Sequence, residues 1–254
     1  MDLIKHANGK ADQQTGATTD VIADTKTSSL EPQFSQDQLE KIDTAYSSDP
    51  WWYDLRGFLI LTFAYRTTLP SQIRLFANHM GACHLEAAIG TGTLFEMILK
   101  WRRFKKMPRL HIVGFDYAER MLAGARRRFK KESQLHLLRA DAAALPLEDN
   151  SFDTASIANA IHCLPDVRGS FEELHRVLKP GGTLTGNCLL EPKGQTVLDQ
   201  ISRRINTWGI KKGILHRPYQ ATEVIELLKK SGFEISEQEI TGNCLNFVAK
   251  KLAD

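Results

Sequence analysis

The sequence predicts an α/β fold whose sheet is doubly wound and mainly parallel, with seven strands, a C-terminal antiparallel hairpin and an N-terminal helical cap. Two observations predict it. From residue 82 onward, short apolar runs alternate with amphipathic helical segments, a pattern that favours parallel strands with helices on both faces. The last two strand-like runs flank Gly242-Asn243, which is typical of a hairpin. The 254 residues, 42% of them hydrophobic, are enough to bury the core of such a domain.

Each element of this core follows from the period of its apolar residues, two for strands and 3.6 for helices. The predicted strands are 82–88, 110–115, 135–139, 152–158, 183–190, 233–240 and 245–250. The predicted helices are 71–80, 93–106, 118–131, 167–178 and 221–231. Residues 191–220 show neither period, and we expect them to be irregular.

Three regions divide the chain. Residues 1–35 are polar, with one aromatic residue, and such a segment buries too little surface to offset its ordering entropy, so we expect a flexible tail. Residues 36–80 are predicted to form the helical cap, and 81–254 the main domain. The cap holds the aromatic cluster Trp51-Trp52-Tyr53, which is either an apolar lid over a site or an ordinary core beneath a helix.

Composition excludes several classes of protein. No apolar run approaches the ~20 residues that a membrane span needs. The first residues lack the apolar stretch of a secretory signal, and the first 45 contain no Arg, so a cytoplasmic protein is expected. The four cysteines show no Cys-x-x-Cys spacing, which leaves a metal site unsupported.

Charge is unevenly distributed along the chain. Residues 1–45 hold four lysines and eight acids, whereas residues 100–131 hold twelve Lys/Arg and two acids. The basic segment is either a surface for an anionic partner or two solvated helix faces.

The predicted first strand and the turn after it, residues 84–93, form the strongest candidate site. Gly90 and Gly92 allow a ligand to approach the backbone closely, and the following helix offers free N–H groups. Asp116, at the end of the second strand, is placed to accept hydrogen bonds from both hydroxyls of a ribose. The third glycine of a dinucleotide-binding turn is missing, because Phe95 stands there, so a nicotinamide cofactor is disfavoured.

Four segments in order resemble class I S-adenosylmethionine-dependent methyltransferases, which have a Rossmann-like fold. Residues 86–92 are similar to the family's E-x-G-x-G-x-G, and residues 116–121 to its D-x-S-x-x-M. Residues 139–153 are similar to G-D-A-x-x-L-P-F…S-F-D, and residues 174–182 to R-V-L-K-P-G-G. The nearest subgroup contains the ubiquinone and menaquinone C-methyltransferases (methyltransferase type 11). The resemblance covers residues 82–190 well, and it departs from the family at Ala88, where a glycine is usual.

The resemblance implies S-adenosylmethionine as cofactor and a set of residues that bind it. Gly90 and Gly92 would approach its methionine part, Glu86 would lie beneath that turn, and Asp116 would bind the ribose. The complete implied set is Glu86, Ala88, Gly90, Gly92, Asp116, Tyr117, Asp141, Ala142 and Asn159. In it, Tyr117 packs on the adenine, Asp141 accepts from the adenine amino group near the Ala142 N–H, and Asn159 offers its backbone to the methionine part.

Candidates for catalysis and acceptor binding follow from the reaction. Methyl transfer is an in-line displacement, in which the protein aligns the reactants and excludes water, and a base is needed only if the acceptor loses a proton. His162, in the loop that abuts the transferred methyl group, and Tyr53 are the catalytic candidates. Trp52, His216 and Tyr219 are the candidates for acceptor contacts.

The leading interpretation is a methyltransferase acting on a small, hydrophobic or aromatic acceptor. Two alternatives remain: an RNA methyltransferase, which the basic segment would favour, and a non-catalytic protein that binds the cofactor for regulation. No specific nucleic-acid partner, membrane span or metal is expected. The sequence does not identify the acceptor or the oligomeric state.

Overall fold

The computed structural model describes residues 67–212 and 215–252. The predicted tail and most of the predicted cap, with Trp52 and Tyr53, lie outside these residues. The helices are α1 (Leu69–Asn78), α2 (Thr93–Phe104), α3 (Glu119–Arg128), α4 (Val167–Val177), α5 (Val197–Lys211) and α6 (Ala221–Lys230). The strands are β1 (Cys83–Ala87), β2 (His111–Asp116), β3 (Leu135–Arg139), β4 (Phe152–Ile157), β5 (Leu178–Leu189), β6 (Phe233–Thr241) and β7 (Cys244–Lys251).

The seven strands form one sheet in the order β3-β2-β1-β4-β5-β7-β6. Strands β1 to β5 are parallel, and β7 is antiparallel to both β5 and β6. The predicted seven-stranded, mainly parallel sheet with a C-terminal hairpin is thereby confirmed. Because the chain order reverses between β1 and β4, the carboxyl ends of these two strands form the switch point where α/β proteins bind ligands.

Helices cover both faces of the sheet. Buried side chains of α4 and α6, such as Phe171 and Leu228, join one large apolar cluster with Leu85 of β1. On the other face, α1, α2 and α3 form a second cluster, which includes Phe76 and Phe95. The amphipathic patterns of these helices arise from this two-sided packing.

One expectation from the sequence was wrong. Within 191–220, residues Val197–Lys211 form helix α5, which begins with a capping box between Thr196 and Asp199. Its buried side is polar, with Ser202 and Asn206 among the buried residues, so an apolar period does not reveal it. Strand β5 also begins earlier than expected, at Leu178, with a register shift against β4 that accommodates its Pro-Gly-Gly sequence.

Candidate functional site

The turn after β1 has a left-handed backbone at three positions. Ala88, Gly90 and Gly92 have φ values of 52°, 59° and 78°. A Cβ atom at Gly92 would overlap the ring of Phe129, so packing alone requires glycine there. A Cβ atom at Gly90 would meet nothing within 4 Å. Gly90 therefore lies on the open side of the turn, where a ligand can reach the backbone.

The carboxylate of Asp116 fixes this turn. Its Oδ2 accepts a hydrogen bond from the Gly90 N–H at 2.8 Å, and its Oδ1 accepts one from the Ala118 N–H at 2.9 Å. Only 9% of the residue is exposed, and this burial raises the pKa of Asp116 to about 6. The acid that ends β2 and the glycine turn that follows β1 thus form one unit at the carboxyl edge of the sheet.

A chain of buried polar groups lies behind the turn. The Ser156 hydroxyl donates to Glu86 Oε2, and His84 Nε2 lies 2.9 Å from Ser156 Oγ and 3.5 Å from Glu86 Oε2. His84 Nδ1 lies 2.8 Å from Thr154 Oγ1, which accepts from the Gly81 N–H at 2.8 Å. These hydrogen-bonded side chains fix the orientation of the Glu86 carboxylate, and Glu86 is only 4% exposed. Glu86 lies four residues before Gly90 on the same strand and turn, so its carboxylate is held directly behind the candidate site.

Three carboxamides meet at the end of β4. The Asn159 N–H donates to Asn187 Oδ1 at 2.6 Å, and Asn187 Nδ2 donates back to Asn159 Oδ1 at 3.0 Å. Asn159 Nδ2 also donates to Gln72 Oε1 of α1 at 3.2 Å. These contacts hold Asn159 in its left-handed conformation, with a φ of 54°, and they connect α1 to the edge of the sheet.

Sequence reasoning missed His84, Ser156, Gln72 and Asn187 as site residues. The polar Asn187 within the apolar run of β5 was the one available signal. A polar side chain in the middle of a buried strand needs a bonded partner, and such a partner commonly belongs to a site.

Asp141, Ala142 and Tyr117 lie beside Asp116, after β3 and β2. Asp141 Oδ1 accepts from the Ala143 N–H at 2.9 Å, and burial raises the pKa of Asp141. Ala142 is buried, whereas Tyr117 is half-buried and its ring centroid lies 5.3 Å from the Arg139 guanidinium carbon. These three are the residues to which the resemblance assigns the adenine.

The remaining candidates lie at the end of β4 and after α5. His162 is 6% exposed, and burial lowers its pKa to about 3. Its carbonyl accepts from the His216 N–H at 2.8 Å, which ties the segment after α5 to the site edge. His216 itself is exposed. Tyr219 lies in the apolar core, 4% exposed, with the Arg217 guanidinium 4.0 Å from its ring centroid.

Metal ligation and membrane crossing are two further roles that the described side chains and helices bear on. Within 67–212 and 215–252, no group of three His, Cys, Asp or Glu side chains is placed to hold a metal ion. In the same part of the chain, no helix has the length and apolar content to cross a membrane.

Comparisons with known proteins identify similar domains. A family model described as a methyltransferase domain matches residues 85–185. The demethylmenaquinone methyltransferase of Staphylococcus saprophyticus is 40% identical over 78 residues, which are 31% of this chain and 33% of that protein. The chain thus matches about a third of the length of this relative.

Solved structures share the fold at low identity. The [4+2]-cyclase SpnF aligns with a TM-score of 0.58 at 19% identity, over 72% of this chain and 82% of that one. Phosphoethanolamine N-methyltransferase 2 of Haemonchus contortus, solved with S-adenosylmethionine, aligns with a TM-score of 0.56 at 18% identity, over 73% of this chain and 53% of that one. The motifs at 86–92 and 116–121, which lie at the carboxyl edge of the sheet, both fall within residues 85–185, the part of the chain that matches the methyltransferase domain.

Proposed function

We propose that the protein transfers a methyl group from S-adenosylmethionine to a small hydrophobic or aromatic acceptor. The observation that carries this proposal is the unit formed by Asp116 and the glycine turn. It combines an acid at the end of β2, an open backbone at Gly90, and a direct hydrogen bond between the two. A ribose and the chain attached to it need these two groups side by side.

The residues at this edge fit the cofactor. The empty space beside Gly90 gives its methionine part access to the backbone, and the Asp116 carboxylate suits two ribose hydroxyls. Tyr117 supplies an aromatic face for the adenine, while Asp141 and the Ala142 N–H supply an acceptor and a donor for its edge. Glu86, behind the turn, suits the cofactor's amine.

When bound, S-adenosylmethionine supplies a methyl group on a sulfonium, which is already electrophilic. The task of the chain is then to align the acceptor with the methyl–sulfur bond and to exclude water. The amide cluster around Asn159 contributes rigidity, because it connects α1, β4 and β5 at the edge where the acceptor must approach.

His162 suits a packing role better than that of a base. A group whose pKa is about 3 is neutral at pH 7 and removes protons weakly. We propose that His162 holds the segment after α5 against the site through its carbonyl, and that the methyl acceptor needs no strong base. His216, on that segment, remains the candidate for acceptor contact, whereas the core position of Tyr219 favours support of the same segment.

The acceptor that we propose is a quinone-type ring. Support comes from the curated relative named demethylmenaquinone methyltransferase, which matches residues of the domain core. In its reduced quinol form such a ring is nucleophilic at carbon, and the carbon that gains the methyl group then loses its ring proton, which a weak base can accept.

The basic segment gives little support to the RNA alternative. Several of its cations are already paired, as in Arg103 with Glu132, Arg126 with Glu119 and Arg128 with Glu96. Arg102 is buried and donates to the carbonyls of Ala77 and Pro108. The SpnF likeness shows that the fold also serves a protein named for another reaction, so cofactor binding and methyl transfer need separate tests.

Two measurements test the proposal. Calorimetric titration with S-adenosylhomocysteine should show binding, and Asp116→Ala should weaken it by about 1.5–3 kcal/mol through loss of charge-assisted hydrogen bonds. Glu239→Ala, on the exposed β6, is the matched control and should bind normally.

Methyl-labelled S-adenosylmethionine is then incubated with a panel of demethylated quinols, phenols and RNA. Label on a quinol supports the proposal, and label on RNA alone overturns it. Tight binding without transfer to any acceptor would favour the non-catalytic alternative.

A further inference from the structure

Helix α5 exposes several large apolar side chains, whereas its buried positions are polar residues and a glycine. Val197, Leu198, Trp208 and Ile210 are 72%, 42%, 41% and 46% exposed. They are four of the seven large hydrophobic residues that are exposed in the described part of the chain. The buried positions of the helix are Asp199, Ser202, Asn206 and Gly209. A surface helix ordinarily shows the reverse arrangement, so the outer side of α5 has the composition of a contact surface.

Three apolar residues of α5 form a stripe with cations beside it, whereas Leu198 and Ile210 lie about 100° and 140° from Val197 around the helix. At about 100° per residue, Val197, Ile201 and Trp208 fall within about 40° of one another on the helix. Arg204 and Lys211 fall within about 40° of Val197 on the other side, and both are exposed. Asp199 is the one acid in α5, and it is buried in the capping box with Thr196, so it does not cancel these charges at the surface.

We propose that α5 docks the protein on the surface of an anionic lipid bilayer. Helices that lie in a membrane interface combine an apolar stripe, flanking Lys or Arg, and Trp, because the stripe enters the acyl boundary while the cations face the headgroups. The outer face of α5, from Val197 to Lys211, has all three.

Two other occupants fit this face less well. A second copy of the chain, packed antiparallel on α5 about a two-fold axis at the middle of the helix, would bring Arg204 against its own equivalent and Lys211 against the apolar Val197 of the other copy. A nucleic acid would pair with the cations but would place phosphates against the apolar side chain of Val197.

The position of α5 gives the docking a consequence. The helix follows the carboxyl end of β5, and the segment after it contacts the His162 carbonyl through the His216 N–H. Docking through α5 would therefore hold the carboxyl end of β5 and the segment that contacts His162 close to the bilayer. That a lipophilic acceptor would enter from the bilayer rests on the proposed function, whereas the docking itself does not.

Sedimentation of the full chain with vesicles tests the proposal. The vesicles are phosphatidylcholine alone or mixed with phosphatidylglycerol, and no cofactor or acceptor is present. We expect binding to the mixed vesicles to be at least about tenfold tighter and to weaken with salt. Because methyl transfer is not measured, failure here leaves the proposed function standing.

Variants locate the contact. Val197→Ser with Trp208→Ser, and separately Arg204→Gln with Lys211→Gln, should each weaken binding on the order of tenfold. Ile240→Ser, which removes a 56% exposed apolar side chain from β6, should change nothing. Melting temperatures show whether each variant remains folded.

Three outcomes overturn the proposal. The first is equal or absent binding to the two kinds of vesicle. The second is binding that none of the α5 variants changes while they remain folded. The third is either self-association that resists salt or binding to a nucleic acid, provided that the α5 variants abolish it.

Discussion

Adjacent rows of the same three strands serve opposite purposes. Leu85, Ala155 and Leu184 are register partners across β1, β4 and β5, and all three are fully buried against the cluster that includes α4 and α6. One residue further along, Glu86, Ser156 and Thr185 form the next row, which faces the other side of the sheet and is also buried.

The difference shows where stability is made and where it is lost. Apolar burial stabilises at roughly 25 cal/mol per Å², whereas a buried polar group costs free energy unless it is hydrogen-bonded. Thr185 Oγ1 has no hydrogen-bond partner within the described part of the chain, and the Asp116 carboxylate is buried with a raised pKa. The apolar row supports the fold, and the polar row maintains a costly arrangement for the site.

The largest expected effect is on the apolar side. Phe171→Ala, at a fully buried position of α4, should lower the free energy of unfolding by about 3–5 kcal/mol through lost burial and a cavity. Urea unfolding measures this, with the 74% exposed Phe104→Ala as a control within about 0.5 kcal/mol. Affinity for S-adenosylhomocysteine should change less than about twofold. A large loss of affinity in folded protein would mean that the two faces are coupled.

The next effect is a pH dependence on the polar side. Ribose hydroxyls donate to ionised Asp116, whose pKa is about 6, so affinity for S-adenosylhomocysteine should fall about tenfold between pH 7 and pH 5. Calorimetric titration across this range measures it.

The contribution of Asp116 to the free energy of unfolding should depend on pH in the opposite direction from the affinity. Because its folded pKa is raised, its contribution is fully present below its usual pKa of 3.8 and is lost as pH rises through about 6. Asp116→Ala should remove both dependences. A step of the same size in that variant would assign the titration to another group.

A smaller effect on affinity should distinguish the contributions of the two nitrogen atoms of the His84 ring. Gln places an amide near the position of Nε2, and Asn places one near that of Nδ1. His84→Gln should therefore keep a donor toward Ser156 and Glu86, whereas His84→Asn should keep the Thr154 contact alone. We expect S-adenosylhomocysteine to bind the Asn variant about fivefold more weakly than the Gln variant, since one hydrogen bond contributes about 1 kcal/mol. Equal affinities at matched melting temperatures would give His84 a purely structural role.

The smallest effect concerns the backbone of the turn. Ala88 has a φ of 52°, a conformation that costs a non-glycine residue about 1 kcal/mol, so Ala88→Gly should stabilise the protein by about 0.5–1 kcal/mol. Thermal unfolding measures it. Gly92→Ala is the opposing control and should destabilise, because its Cβ would overlap Phe129. Destabilisation by Ala88→Gly would show that the methyl group contributes more by packing than the strain costs.

The sequence predicts most of this fold because apolar residues repeat with the period of each element. The exception is α5, whose buried side carries Ser202 and Asn206, so its pattern resembles that of a loop. The Thr196 and Asp199 capping pair was the available signal. The start of β5 at Leu178 depends on pairing with β4 across a bulge, which local sequence does not report.

The candidate site likewise contains residues that the sequence predicts and residues that it does not. Local motifs locate Gly90, Gly92 and Asp116, because each motif is contiguous in sequence. The partners that hold the site are distant: Ser156 lies 70 residues from Glu86, and Gln72 lies 87 residues from Asn159. Such pairs follow from strand register and helix docking, so one sequence alone could not reveal them.

The position of β7 has a consequence for how the protein is made. β7 is the last of the seven strands to leave the ribosome, yet it lies between β5 and β6 and pairs with both. Until residue 251 has emerged, β5 has a long unpaired edge, and such an edge can pair with another chain and cause aggregation. Its arrival closes that edge, and Lys251 then donates to the carbonyls of His175 and Leu178. Nascent chains of this protein should therefore need chaperone protection until β7 has been synthesised and has paired with β5.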